Sequence, residues 1–130
     1  MWRSTKMGYR SEVAYVITFK DIPTKQKWVA LTKLNAQFNK ALKECNHVDN
    51  LEKDYISAHF QDVKWYDGYE DVDMHMHMLD SISEDEPDGV NARFIRIGES
   101  SDDAQDDAYG EDGYTIDLYL SRVIDTEYEL

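Results

Sequence analysis

In 130 residues the chain has one cysteine, two prolines and six glycines, and each scarcity removes a class of protein. The lone Cys45 cannot form an intramolecular bridge, so a disulfide scaffold is excluded. Its place among helix-like apolar residues reads as a packed, inert thiol in a reducing cytosol. No G-x-G-x-x-G, Walker loop, G-x-S-x-G or H-E-x-x-H occurs, and the chain is read as a non-enzyme with no cofactor. No stretch approaches the ~18 apolar residues of a membrane span. Met1 to Arg10 carries Arg3, Lys6 and Arg10, but no signal-length apolar run follows, so a cytoplasmic protein is expected. With 42% hydrophobic residues, the length suits one domain over 1–130, of which 1–8 reads as an extended N-terminal arm.

Positive charge is the next thing missing, and it is missing from one half only. The net charge of −13 divides into eleven Lys/Arg against seven Asp/Glu over residues 1–66 and three against twenty over 67–130. The halves therefore balance at +4 and −17. Proteins that hold DNA, RNA or anionic membranes neutralise phosphates with Lys and Arg, so the balance argues against direct binding of that kind. A cationic partner or high solubility is what such a surface serves. The sequence leaves the oligomeric state open.

Hydrophobic periodicity predicts an α+β fold. Residues 12–20, E-V-A-Y-V-I-T-F-K, are β-branched or aromatic on both faces, as in a central strand buried on both sides. Asp21, Pro23 and Thr24 open a helix of about six turns on which Trp28, Leu31, Leu34, Phe38, Leu42 and Cys45 recur at spacings of three and four. Lys25, Lys33, Lys40 and Lys43 fall together opposite that stripe, as a solvated face. Residues 55–66 read as a strand with an irregularity near Asp62. Residues 67–84 fit a helix through Val72, His75, Met76, Leu79 and Ile82, although Val72, Met74, Met76 and Met78 also alternate like a strand. Residues 91–98 and 114–124 read as strands, the second with Ile116, Leu118 and Leu120 on one face. The expected order is β-α-β-α-β-β: a mainly antiparallel sheet of about four strands with two helices packed on one face.

Between the last two strands, residues 98–113 form a predicted exposed acidic loop carrying Glu99, Asp102, Asp103, Asp106, Asp107, Glu111 and Asp112. Paired Asp-Asp steps do not match the EF-hand spacing, so no metal site is assigned, although a divalent-metal-dependent enzyme or metal-binding protein using these carboxylates remains an alternative. His75-Met76-His77 has the side chains for a soft metal ion, but on a helix its two histidines point about 200° apart. As a surface, the loop presents closely spaced negative charges to a groove lined by Arg and Lys. A second alternative is an accessory protein whose partner contacts come from the aromatics Trp65, Tyr66 and Tyr69.

Three segments carry a resemblance: Met7-Gly8-Tyr9-Arg10-Ser11-Glu12-Val13; Lys64-Trp65-Tyr66 with Tyr69-Glu70-Asp71-Val72; and Phe94-Ile95-Arg96-Ile97-Gly98-Glu99 followed by Asp102-Asp103. In that order they resemble blocks of uncharacterised small bacteriophage and prophage proteins that begin M-G-Y-R-S and carry F-[IV]-R-I-G-E-x-x-D-D. Met1 to Lys6 depart from that pattern by preceding its start. The resemblance implies a viral origin and no activity. It gives the charge a use, since an acidic phage protein in the host cytoplasm can occupy the nucleic-acid groove of a basic defence nuclease by presenting carboxylates where phosphates would lie. Partner contacts are then expected from the seven loop carboxylates with Trp65 and Tyr66. Gly8 and Tyr9 read as structural, and Arg10 as a cation that pairs with a carboxylate of the second half.

Overall fold

The computed structural model describes residues 9–100, 102–119 and 125–126, so the predicted arm at 1–8 lies outside the described residues. In chain order the elements are β1 (Ser11–Phe19), α1 (Ile22–Thr32), α2 (Ala36–Lys43), β2 (Tyr55–Val63), α3 (Glu70–Asp85), β3 (Val90–Gly98) and β4 (Ala104–Tyr109). A 3-10 turn (Gly113–Thr115) follows, with a short pair, β5 (Leu118–Tyr119) and β6 (Asp125–Thr126). The fold is α+β, built on a four-stranded sheet of order β2-β1-β3-β4 whose neighbours all run antiparallel. None of the described helices is long and apolar enough to cross a membrane.

β1 is central, as its two-sided apolar run predicts. Val13, Tyr15, Ile17 and Phe19 face all three helices, packing with Trp28 and Val29 of α1, Ala41 and Leu42 of α2, and Met74, Met78, Leu79 and Ile82 of α3. Ala14 and Val16 face the other way, where Ile95, Ile116 and Leu118 cover them. A side-chain period of two gives both faces of one strand a core. The irregularity near Asp62 is a β-bulge: Ser11 stands opposite Val63 and Val13 opposite Phe60, one extra residue on β2, with Asp62 at φ 56.

The structure corrects the sequence reading in three places. The six-turn helix is two helices, because Asn35 caps a new start, its Oδ1 accepting from the backbone N–H of Gln37 and Phe38. Leu31 and Leu34 on the predicted stripe are exposed at the break. Lys25 is not on a solvated face but 1% exposed. The predicted acidic loop at 98–113 contains β4, whereas the predicted strand at 114–124 holds the 3-10 turn and β5, with Leu120 and 121–124 outside the described residues. In β4 only Tyr109 is buried, so this edge strand has no apolar alternation by which to announce itself.

α3 forms as predicted, with His75 buried and His77 exposed. Asp21 caps α1 by accepting from Thr24 N–H at 2.8 Å.

Candidate functional site

The acidic stretch lies along the edge of the sheet. Asp106 is held by Arg93, whose Nε and Nη2 donate to its two carboxylate oxygens at 2.6 and 2.8 Å. The same guanidinium donates through Nη1 to the carbonyls of Tyr114 and Ile116, which holds the 3-10 turn against the sheet. Asp103 is held by Arg96 at 2.8 and 3.1 Å. Asp107 accepts from Gln105 Nε2 at 2.7 Å. Glu99, Asp102, Glu111 and Asp112 are exposed. Among the described residues no three His, Cys, Asp or Glu side chains converge to hold a metal ion.

A second acidic row lies on α3, which packs beside β4. Asp73, Asp80 and Glu84 follow one another at seven and four residues, so they share a side of the helix, about 10 Å and then about 6 Å apart along its axis. Asp80 and Asp107 both lie close enough to Tyr109, where helix and strand come together, to act on its hydroxyl. Burial chiefly, and then these two carboxylates, push the Tyr109 phenol above its usual range. The row is legible in the spacing of residues 70–84, on the side of the helix opposite to its apolar positions.

The two aromatic candidates serve the fold. Trp65 is half-buried, stacked on Phe60 and tilted against His75 and Phe94. Tyr66 accepts a hydrogen bond from Tyr9 N–H at 2.6 Å and meets the Tyr69 ring edge-on.

Tyr9 is where the first and last of the resembling blocks meet. Its hydroxyl donates to Asp103 at 2.6 Å and accepts from Ser100 N–H at 2.9 Å. Arg96, beside the same carboxylate, also donates to Ser11 Oγ at 3.2 Å. Arg96 first and Tyr9 second hold the Asp103 carboxyl down at about 2. The two unlike halves are thus tied by Tyr9, not by Arg10, whose guanidinium instead donates to the Asp62 carbonyl within the first half. Gly98 is the floor of this node. A Cβ there would collide with the Asp103 carboxylate and the Tyr9 hydroxyl, and neither can withdraw without losing its partner. Gly98→Ala is therefore expected to lower stability by about 1–3 kcal/mol, the usual penalty for forcing atoms into a packed site, as read from urea unfolding.

A further polar chain runs through the core. Tyr15 Oη lies 2.7 Å from His75 Nδ1 and 3.1 Å from Cys45 Sγ, and His75 Nε2 lies 2.9 Å from Glu44 Oε1. With Glu44 ionised, Nε2–H donates to it, Nδ1 accepts, and Tyr15 O–H donates to Nδ1. Burial first of all drives the Cys45 thiol up to about 12, which makes it a poor nucleophile. Glu44 opens onto a shallow cleft of ≈ 680 Å³ walled by Lys40, Lys43, Tyr69, Glu70 and Asp71, whose mixed charges favour no one ligand. Comparison with protein-family models, with curated proteins and with solved structures found no match for this chain.

Proposed function

We propose that this chain is a phage-type interaction protein that binds a basic host protein, such as a defence nuclease, through an acidic surface made by α3 and β4, in the place that nucleic-acid phosphates would take. One observation carries this reading: the carboxylates at the centre of the surface, Asp73, Asp80, Glu84 and Asp107, stand on a helix and a paired strand rather than on a loop, with the others in the turns that flank β4. An array held by backbone hydrogen bonds needs no ordering on binding, and ordering is what weakens charged loops as ligands. Two of the seven expected carboxylates, Asp103 and Asp106, are already neutralised by arginines. The contact surface is therefore drawn through Asp73, Asp80, Glu84, Asp107, Glu111 and Asp112, with Glu99 and Asp102 at the far end of β4. Trp65 and Tyr66 have their rings engaged in the fold and are left out of it.

The test is retention of proteins from a bacterial host lysate at low and then moderate salt, with added DNA as competitor. A nucleic-acid enzyme that is retained, lost as salt rises and displaced by DNA supports the reading. Replacing Asp80, Asp107, Glu111 and Asp112 together by their amides should weaken that complex by tenfold or more, about 1.4 kcal/mol. Unchanged binding by the amide variant would sink the proposal.

A further inference from the structure

Backbone geometry adds a second recognition element to the same surface. Gly98 N–H donates to the Asp103 carbonyl at 2.8 Å, and these residues continue the register in which Ile97 faces Ala104. In an antiparallel ladder, hydrogen-bonded and non-bonded pairs alternate. Asp103, Gln105, Asp107 and Tyr109 therefore turn their backbone groups toward β3, whereas Ala104, Asp106 and Ala108 turn theirs away from the sheet. β4 has no strand on its outer side among the described residues, and no backbone group of the described residues bonds to these three from that side. The result is a row of three N–H donors and three C=O acceptors facing solvent.

The side chains leave that row accessible. Ala104 and Ala108 are exposed and small, and the Asp106 carboxylate is drawn onto the sheet face by Arg93. The opposite edge of the sheet is closed by comparison: Ser57 of β2 is bridged by Asn46, and the bulge at Asp62 breaks the pleat.

The geometry points to β4 as a docking edge, to which an extended basic segment of the partner adds as a fifth strand. This rests on the acidic-surface reading and names the form of the partner. Charge selects the occupant. On the helix side the incoming strand meets Asp107 and Asp80, and at its ends Glu99 and Asp102 or Glu111 and Asp112. A second copy of this chain would bring the same carboxylates opposite themselves. On the other side it meets only Ala104, Ala108 and the Arg93–Asp106 pair. Basic side chains at alternate positions, with small ones between, match both sides of the edge.

A synthetic hexapeptide of alternating lysine and threonine is the probe, titrated against the full chain. It is expected to bind and to slow amide exchange at Ala104, Asp106 and Ala108. A twin N-methylated at alternate residues keeps every charge and loses the donors that face the edge. It should bind roughly tenfold more weakly or worse, as losing two or three hydrogen bonds implies. Ala108→Pro removes an outward donor without touching the β3–β4 ladder, and should have the same effect at an unchanged melting temperature. Equal binding by the N-methylated peptide overturns the docking edge and leaves the acidic surface standing. Equal binding by Asp80→Asn/Asp107→Asn overturns the acidic surface and leaves the edge to be judged by the N-methylated twin. A dimer of this chain that Ala108→Pro breaks overturns the choice of occupant.

Discussion

Replacing Lys25 by methionine is expected to lower the melting temperature by roughly 10 °C, corresponding to about 3 kcal/mol in a domain of this size. The ammonium is the hub of the segment between α2 and β2. Its Nζ donates to the carbonyls of His47 at 2.6 Å, Asn50 at 2.8 Å and Lys53 at 2.7 Å, with Tyr55 O at 3.2 Å as a shared fourth acceptor. Three protons and four oxygens leave no place for an amine lone pair, so the geometry calls for the charged form. Burial works against that charge, and Asp54 and Asp49 work for it. Methionine keeps most of the buried stem and removes only the head, so the four carbonyls lose their common donor, although Asn50 N–H still donates to the His47 carbonyl and Lys53 N–H to that of Asn50. Each buried acceptor left unsatisfied costs about 1–3 kcal/mol, and water entering the loop would recover part of the total. Arginine should not rescue, because a planar fork cannot replace a point donor in a cage of this size. A Lys25→Met melting temperature within about 2 °C of wild type would show that the loop stands without its hub.

The second large effect is on acid stability, through His75. Its ring is completely buried between Tyr15, Phe60 and Trp65. Burial chiefly lowers its pKa from 6.5, while Glu44 and Asp71 pull the other way. In the unfolded chain the imidazole takes up a proton near pH 6.5; in the folded one it does so only at lower pH. Below 6.5 the unfolded state therefore binds more protons. Stability is complete above that pH and declines as the pH falls toward the folded value, by at most about 1.4 kcal/mol per pH unit. His75→Leu should be less stable at pH 7 by about 1–3 kcal/mol, since Tyr15 loses its nitrogen acceptor inside the core and keeps only the weakly accepting Cys45 sulfur, and its stability should decline less steeply between pH 6.5 and 5. Urea unfolding of both proteins across that range decides the matter, and parallel decline would refute it. Asp103 adds a separate loss at lower pH. Its carboxyl is held at about 2 against an ordinary 3.8, so its contribution is present above 3.8 and disappears as the pH drops through 2.

What could be read from the residues in order was whatever leaves a period. β1, β3 and α3 each bury a continuous or regular apolar set, and all three were predicted nearly to their ends. The bulge at Asp62 was legible because the apolar positions of residues 55–66 change sides there. β4 was not legible, since an edge strand with one neighbour needs a single buried side chain, and A-Q-D-D-A-Y supplies only Tyr109. The split of the first helix turns on Asn35, whose capping role depends on two nearby N–H groups rather than on any pattern of hydrophobicity. Lys25 shows the same limit from the other side. A lysine is assigned to solvent by default, and only the carbonyls of a loop some twenty to thirty residues later give it a place inside. For the acidic surface, the charge was legible and its rigidity was not. The two arginines that neutralise Asp103 and Asp106 stand on the neighbouring strand, an alignment that only the register reveals.

The position of β1 also sets the order in which the chain can be assembled during synthesis. Among the described strands it is the first to leave the ribosome, and with β3 it has a core on both faces. β2 can join it early, but its other side is completed by β3, with Ser11 waiting for Gly98 and Phe19 for Val90. The clasp of Tyr9 on Asp103 spans 94 residues. Until β3 emerges, the nascent protein carries a nine-residue, largely apolar strand with one open edge, a state that invites pairing with other chains. Contacts of such long separation also form slowly. The acidic half is thus made after β1 and is the part that closes the described sheet.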